Sequence, residues 1–484
     1  MQNNLTSLKE YSLKMLESWK ETVNCAHTTE ELLAWIATLN QRTKVEVTPT
    51  SLSSDSFWFY DDYKGEILNR KRSFFSIVGL RYFRNEEFVS EQPIILQPEI
   101  GYLGLLVKEI NGVLHFLMQA KIEPGNVNFV QLSPTIQATK SNFTRAHGGR
   151  LPYYFDLFEK AEENGTVLYD QIQSEQGSRF LAKRNRNIIL LPDREIEVYP
   201  EYRWMTLGQI KECMSVPNLV NMDTRTVLSG IPFAGFELNN QERKKAESFF
   251  TDKALYRSLY ETNPQDTLSP AMTRLNDYKM FTEVEQNVVP LRQLMDWKVD
   301  DYGVHCKKPA PFSVEYYEVQ ISGREVQQWL QPLVKAQSES VFVLVTTVTE
   351  GIRKFLIRVE PEIGCFDKAE FGPSLRLEPN GQSSCPSESE KDEESLGAEE
   401  ALLQLVQNHL KEHQGILKDV VLSEEGGRFY REQNRNVILE IKPEEMSKLP
   451  KGTVWMDFSA LNLLVQSNNL LNIQLRNLLS LLDL

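Results

Sequence analysis

Trp58-Phe59-Tyr60-Asp61-Asp62-Tyr63 returns 239 positions later (297 − 58) as Trp297-Lys298-Val299-Asp300-Asp301-Tyr302. The same offset carries Pro93 onto Pro332, Gly112 onto Gly351, Phe116-Leu117 onto Phe355-Leu356, Glu123 onto Glu362, Gly125 onto Gly364 and Pro134 onto Pro373. A second offset, 249 (428 − 179), carries Arg179-Phe180 and Asn185-Arg186-Asn187 onto Arg428-Phe429 and Asn434-Arg435-Asn436. Trp204-Met205 to Arg225 then meets Trp455-Met456 to Arg476, with Asn221 opposite Asn472. One unshifted offset from Trp58 to Pro134 means two copies of one domain, so the fold must be one that half the chain can adopt.

Within each copy the hydrophobic alternation predicts strands at Phe74 to Tyr82, Gly101 to Lys108 and Leu114 to Ala120, and at Val314 to Ile321, Val341 to Thr347 and Lys354 to Val359. Asn111-Gly112 and Glu350-Gly351 read as hairpin turns. Helices are expected at Tyr153 to Asn164 and Glu399 to His413, and a closing amphipathic helix is expected over the Trp204 and Trp455 segments. The class is α+β, with mixed or antiparallel sheets flanked by helices. Residues 1–45 read as a helical arm, with Leu8, Tyr11, Met15 and Trp19 at helical spacing and a cap at Thr28-Thr29-Glu30-Glu31. The first domain is expected at 46–235, a helical connector at 236–280, and the second domain at 281–484 with an acidic low-complexity insertion at 379–396.

A 484-residue chain that is 41% hydrophobic can build two or three cores. A net charge of −14 without a basic patch argues against nucleic acid and anionic membrane as partners. Cys25, Cys213, Cys306, Cys365 and Cys385 lack C-x-x-C spacing, which fits a reducing compartment and gives no thiolate metal site. The N-terminus lacks a signal-peptide pattern and no apolar run reaches membrane-spanning length, so a cytoplasmic protein is expected. Walker A, G-x-G-x-x-G, G-x-S-x-G and H-E-x-x-H patterns are all missing, so the simplest enzyme reading is chemistry without metal or cofactor.

Duplication supplies an internal control, because what both copies keep serves fold or common binding and what one copy keeps can be chemistry. The stretch Gln131 to Arg150 is where they part. It begins as a strand with Gln131, Ser133, Thr135, Gln137 and Thr139 on one face, and ends in an Arg145-Ala146-His147-Gly148-Gly149-Arg150 loop. The second copy keeps the strand in outline at Glu370 to Arg376, then enters its acidic insertion, with no counterpart to Ser141 to Arg150. One competent site, in the first copy, is expected. His147 is the lead proton carrier, and Tyr153 is either a partner acid or the first buried residue of the next helix. Arg179, Asn185 and Arg186 suit a diphosphate or, equally, the bracing of a turn. Trp58 is a stacking platform or core packing, with core packing favoured, and Asp61-Asp62 reads as a turn or cap.

At Gln131 to Arg150, with Glu123-Pro124-Gly125-Asn126, Gly177 to Ile189 and Asn221 to Arg225, the chain resembles the NDP-hexose 2,3-dehydratases of deoxysugar biosynthesis. The resemblance spans both halves. It implies a duplicated Nudix-like fold, a homodimer, and one functional and one vestigial nucleotide-sugar pocket. The implied substrate is an NDP-4-keto-6-deoxyhexose such as dTDP-4-keto-6-deoxy-glucose, which loses its C2 hydroxyl to give a 3,4-diketo sugar for an NADPH-dependent 3-ketoreductase. The C4 carbonyl would serve as electron sink, leaving the protein to supply base, acid and enolate donors. His147, Tyr153, Gln137 and Thr135 are the catalytic candidates. Trp58, Gln131, Thr139, Asn142, Arg145, Gly148, Gly149, Arg150, Arg179, Asn185, Arg186, Asn221, Asp223 and Arg225 are the candidates for holding the substrate. Gly323-Arg324-Glu325-Val326-Gln327-Gln328 only faintly echoes the metal-binding box of Nudix hydrolases, with glutamines where glutamates are needed. A non-catalytic nucleotide-sugar scaffold and a Nudix-type hydrolase are the alternatives.

Overall fold

A computed structural model describes residues 2–53, 56–143, 151–322, 327–377, 393–446 and 448–484. It is a mixed α+β structure built on four sheets. Two of them have seven strands and the same order. In the first half the order is Gly165–Ser174, Arg184–Pro192, Gly101–Ile110, Val113–Ile122 and Tyr202–Thr206, with Val130–Ser133 on the fourth strand and Ile136–Ala138 on the third. In the second half it is Ile416–Ser423, Gln433–Ile441, Val341–Thr349, Ile352–Glu360 and Thr453–Asp457, with Glu370–Gly372 and Leu375–Leu377 placed likewise. Even the irregularities agree, since the register slips between Val167 and Tyr169 and again between Ile416 and Lys418. The central hairpins turn at Asn111-Gly112 and Glu350-Gly351 with φ of 53° and 82°, and 54° and 76°. Two successive positive φ angles match the right-handed strand twist, which is why Asn-Gly serves there.

Three expectations need correction. Gln131 to Thr139 is not one strand, because Pro134 has no N–H to give a ladder; Val130–Ser133 pairs with Val113–Ile122, and Ile136–Ala138 crosses to Gly101–Ile110. Tyr153 to Asn164 is not one helix, because Tyr154 takes φ 63° and Lys160 leaves the helical region, giving Phe155–Glu159 and Ala161–Asn164 as two short turns. Its counterpart Glu393–Glu412 runs unbroken for 20 residues. Trp204-Met205 and Trp455-Met456 lie on strands, followed in each half by two short helices rather than one, Leu207–Met214 and Met222–Ser229, then Phe458–Leu464 and Ile473–Ser480. Bulky β-branched and aromatic side chains at those strand positions pack better on a sheet than on a helix. In the N-terminal arm the expected cap is present, as Thr28 and Glu31 form a reciprocal capping box on Thr29–Arg42.

The halves are interleaved in space. Val45–Pro49, which precedes the first-half sheets, pairs with Phe312–Ile321 in the five-stranded sheet of the second half. Val284–Val289 stands 239 positions after Val45 and pairs with Ser76–Arg84 in the six-stranded sheet of the first half. Each half thus lends one strand to the other. Two buried arginines repeat the exchange: Arg225 donates to the carbonyl oxygens of Val220 and Ser423, and Arg476 to those of Leu471 and Ser174. Their helices, Met222–Ser229 and Ile473–Ser480, pack on one another at the centre, and one hydrophobic core runs through both halves. Such burial is the main driving force here, at about 25 cal/mol per Å² of apolar surface.

Loops cross over too. Gly125 N donates to Gly426 O at 2.7 Å, and Gly125 O accepts from Arg431 N at 2.7 Å. Gly364 repeats this with Gly177 O and Ala182 N, both at 2.8 Å. A Cβ on Gly125 would lie 1.7 Å from Phe429 O, and one on Gly364 2.2 Å from Phe180 O, so only glycine permits these approaches. Among the described residues no helix is long and apolar enough to cross a membrane.

Candidate active site

The crossed loops bracket two clusters of buried polar side chains, two tightly packed chambers, the first drawn chiefly from the first half. Glu123 follows the strand Val113–Ile122 and accepts a hydrogen bond from Gln137 Nε2 at 3.0 Å. Gln137 Oε1 accepts from Ser133 Oγ at 2.9 Å and Asn221 Nδ2 at 3.2 Å. Asn221 also caps the helix Met222–Ser229 through Thr224 N. Lys121 Nζ stands 3.5 Å from Glu123 Oε1. The break at Pro134 makes this possible, because hopping between two strands turns Ser133 and Gln137 toward one another across the hairpin.

More acids come in from other elements. Glu175 ends the strand Gly165–Ser174, and Asn185 Nδ2 donates to its Oε1 at 2.5 Å. Burial pushes its pKa up to about 7, with the Glu425 carboxylate adding to the effect. Glu425 arrives from the second half on the loop that carries Arg428, and burial raises it as well. Asp223, in the first turn of its helix, is 2% exposed. Burial first, then the Glu425, Glu175 and Glu123 carboxylates, push it well above the ordinary aspartate range, while Lys121 pulls the other way. Lys183 donates to Glu99 O at 2.6 Å and Asn185 Oδ1 at 3.0 Å; burial lowers its pKa, and Glu175 and Glu425 oppose that. The result is a buried cluster in which burial raises the pKa of Glu175, Glu425 and Asp223 and lowers that of Lys183, laced together by the amides of Gln137, Asn185 and Asn221.

The second chamber has the same frame with other contents. Lys121, Gln131, Ser133, Gln137, Lys183 and Asp223 are replaced at matching positions by Glu360, Glu370, Gly372, Arg376, Glu432 and Gln474. In it Arg376 forms an ion pair with Glu362 at 3.3 Å, where Gln137 offers Glu123 an uncharged amide donor. Glu362 also accepts from Gly177 N at 3.1 Å.

One model of the NDP-hexose 2,3-dehydratases matches residues 29–231 and again residues 270–482. The chain belongs to that family. A relative from Saccharopolyspora spinosa, a dTDP-4-dehydro-6-deoxy-alpha-D-glucopyranose 2,3-dehydratase, is 35% identical over 93% of this chain and 90% of its own. A protein with the same name from Streptomyces violaceoruber is 35% identical over 92% and 95%, and one from Amycolatopsis orientalis 30% over 93% and 89%. Among solved structures, an ADP compounds hydrolase aligns with 31% of this chain and 74% of its own at 13% identity and a TM-score of 0.17, too slight a likeness to argue from.

Against the family's expected site, the structure gathers Gln131, Gln137, Asn221 and Asp223 around the first chamber. Gln131 Nε2 also reaches Ser423 Oγ of the second half at 2.8 Å. Thr135 is spent on backbone, donating to Leu117 O and accepting from Leu106 N, and Ser374 repeats both bonds with Leu356 O and Val345 N. Thr139 and Asn142 bond to each other at the start of the helix Lys140–Phe143. Trp58 packs on Phe75 in a core cluster. Tyr153 is 41% exposed and stacks on Tyr199 at 3.9 Å. Arg186 forks onto Asp170 at 2.8 and 2.5 Å, as Arg435 does onto Asp419. Arg225 is the buried link between the halves described above.

Arg179 is placed with the other chamber. The crossed loop lays it over the Phe312 ring of the second half at 4.1 Å and beside Glu362, while Arg428 takes the first chamber's side over Phe74 and Phe75 and bonds Gln97. Asn185 holds Glu175 rather than standing open. Arg145, His147, Gly148, Gly149 and Arg150 lie outside the described residues, as do Gly323 to Val326 and most of the acidic insertion. Sequence reasoning missed Lys121, Glu175, Lys183, Glu425 and Arg428. The signal was available for the lysines, whose counterparts Glu360 and Glu432 reverse the charge.

Proposed function

We propose that this protein dehydrates an NDP-4-keto-6-deoxyhexose, dTDP-4-keto-6-deoxy-glucose in the first instance, across C2 and C3. The observation that carries this reading is the family match over both halves, with three near-full-length relatives bearing one and the same dehydratase name. A base removes the C3 proton, which the C4 carbonyl acidifies; the enolate then expels the C2 oxygen as water, and the enol left behind tautomerises to the 3,4-diketone. The chemistry is assigned to the first chamber, where Gln137 gives Glu123 an amide donor at the position from which Arg376 forms an ion pair with Glu362 in the second. His147 is proposed as the lead base or acid, and Arg145, Arg150 and Arg428 as partners of the diphosphate.

The halves are read as Nudix-like copies of one ancestor, supported by the two equal strand orders and the two segments matched by a single family model. A cytoplasmic homodimer that hands its unstable product to an NADPH-dependent 3-ketoreductase completes the reading. The test is incubation with dTDP-4-keto-6-deoxy-glucose, trapping with such a reductase and NADPH, and mass measurement. A trapped sugar that has lost one water is expected. Unchanged substrate, or release of nucleoside monophosphate that requires Mg²⁺, would overturn the reading.

A further inference from the structure

Elimination needs two proton transfers in opposite senses, and the family motif separates neither. The base must be unprotonated when substrate arrives, whereas the group that meets the leaving oxygen must carry a proton. Asp223 has the surroundings of the second kind. It is 2% exposed, and among the described residues its carboxyl has no hydrogen-bond partner. Its neighbours are held at least in part: Glu123 by Gln137, Glu175 through Oε1 by Asn185 although its Oε2 is left without a partner, and Asn221 by Ser133 and Gln137. A buried carboxyl without a partner costs several kcal/mol on the order-of-magnitude scale for such groups unless it is neutral or meets a ligand. The groups facing it are Glu123 and Lys121 from one hairpin, Glu175 from the next strand and Glu425 from the second half, three carboxylates against one ammonium. The matching position in the second chamber is Gln474, an amide that cannot act as a carboxylic acid.

We propose that Asp223 is the acid that gives its proton to the departing C2 hydroxyl, an assignment that rests on the dehydratase reading above. The C2–O bond breaks with its electron pair on oxygen, the Asp223 proton joins that oxygen, and water leaves. The enolate electrons form the C2=C3 bond; the base gives up the proton taken from C3 to solvent once water has left, and Asp223 regains one from solvent, so the protons balance. No oxidant or reductant enters.

The test compares the 2-hydroxy substrate with its 2-deoxy-2-fluoro analogue, since fluoride leaves without needing a proton. Wild type must first convert the hydroxy sugar, and failure there would count against the dehydratase reading itself. With that secured, Asp223→Asn should lose turnover of the hydroxy sugar by about 100-fold or more. It should still exchange the C3 hydrogen with D₂O and still expel fluoride within about threefold of wild type. Gln474→Ala should change none of these rates. In wild type, kcat for the hydroxy sugar should fall at alkaline pH and kcat for the fluoro sugar should not, a readout that needs no variant to fold. Equal loss of both substrates in folded Asp223→Asn, full turnover in that variant, or the same alkaline fall with both leaving groups would overturn the assignment.

Discussion

Glu370 and Gln131 occupy matching positions, one bonded to Ser174 at 2.6 Å and the other to Ser423 at 2.8 Å, so the molecule itself shows that an amide can replace the acid. Burial pushes the Glu370 pKa from an ordinary 4.5 up to about 7. A carboxyl whose folded pKa is raised contributes stability that is fully present below pH 4.5 and is lost as pH climbs through 7. Glu370→Gln should therefore match wild type at pH 4.5 and exceed it at pH 8 by on the order of 1–3 kcal/mol, checked by chemical denaturation at the two pH values. Gln137 invites the opposite exchange. Since Arg376 reaches Glu362 in the second chamber, Gln137→Arg should pair with Glu123, leave the melting temperature nearly unchanged and cut turnover of the keto sugar by about 100-fold or more. A folded variant with normal turnover would remove the first chamber from consideration.

Among the elements, the crossed loops depend on two glycines and the swapped strands on their pairing. A methyl group on Gly125 meets the Phe429 carbonyl at 1.7 Å, so Gly125→Ala must push the Glu425–Arg428 loop away. A loss of about 3 kcal/mol or more is expected by thermal or chemical unfolding. Gly112→Ala, whose Cβ meets nothing within 4 Å, carries only the smaller penalty of its positive φ, about 1 kcal/mol. The elements themselves were largely legible. The strands read at Gly101 to Lys108 and Val341 to Thr347 fall inside Gly101–Ile110 and Val341–Thr349, because short apolar, β-branched runs buried on both faces of a central strand stand out in the sequence. Periodicity failed at Trp204-Met205, where five strand residues running straight into a helix imitate one long amphipathic helix.

For the whole molecule, each half has donated a strand whose partners belong to the other. Residues 1–235 alone would leave Val45–Pro49 without its sheet and the Ser76–Arg84 edge uncovered. Expressed singly, 1–235 and 236–484 should be insoluble or lack cooperative unfolding, and co-expression should restore one soluble complex; two independently folding halves would refute the interleaving. By itself the sequence determined the α+β class, the paired offsets between its two halves and the segment where those halves part. These are local or periodic properties, and twofold repetition doubles their signal. Only tertiary structure decided that Arg179 serves the far chamber and Arg428 the near one, and that Glu123, Glu175, Asp223 and Glu425 meet at all. Those pairings join residues up to 354 positions apart (428 − 74) through crossed loops, and which loop crosses is set by the packing of one half upon the other.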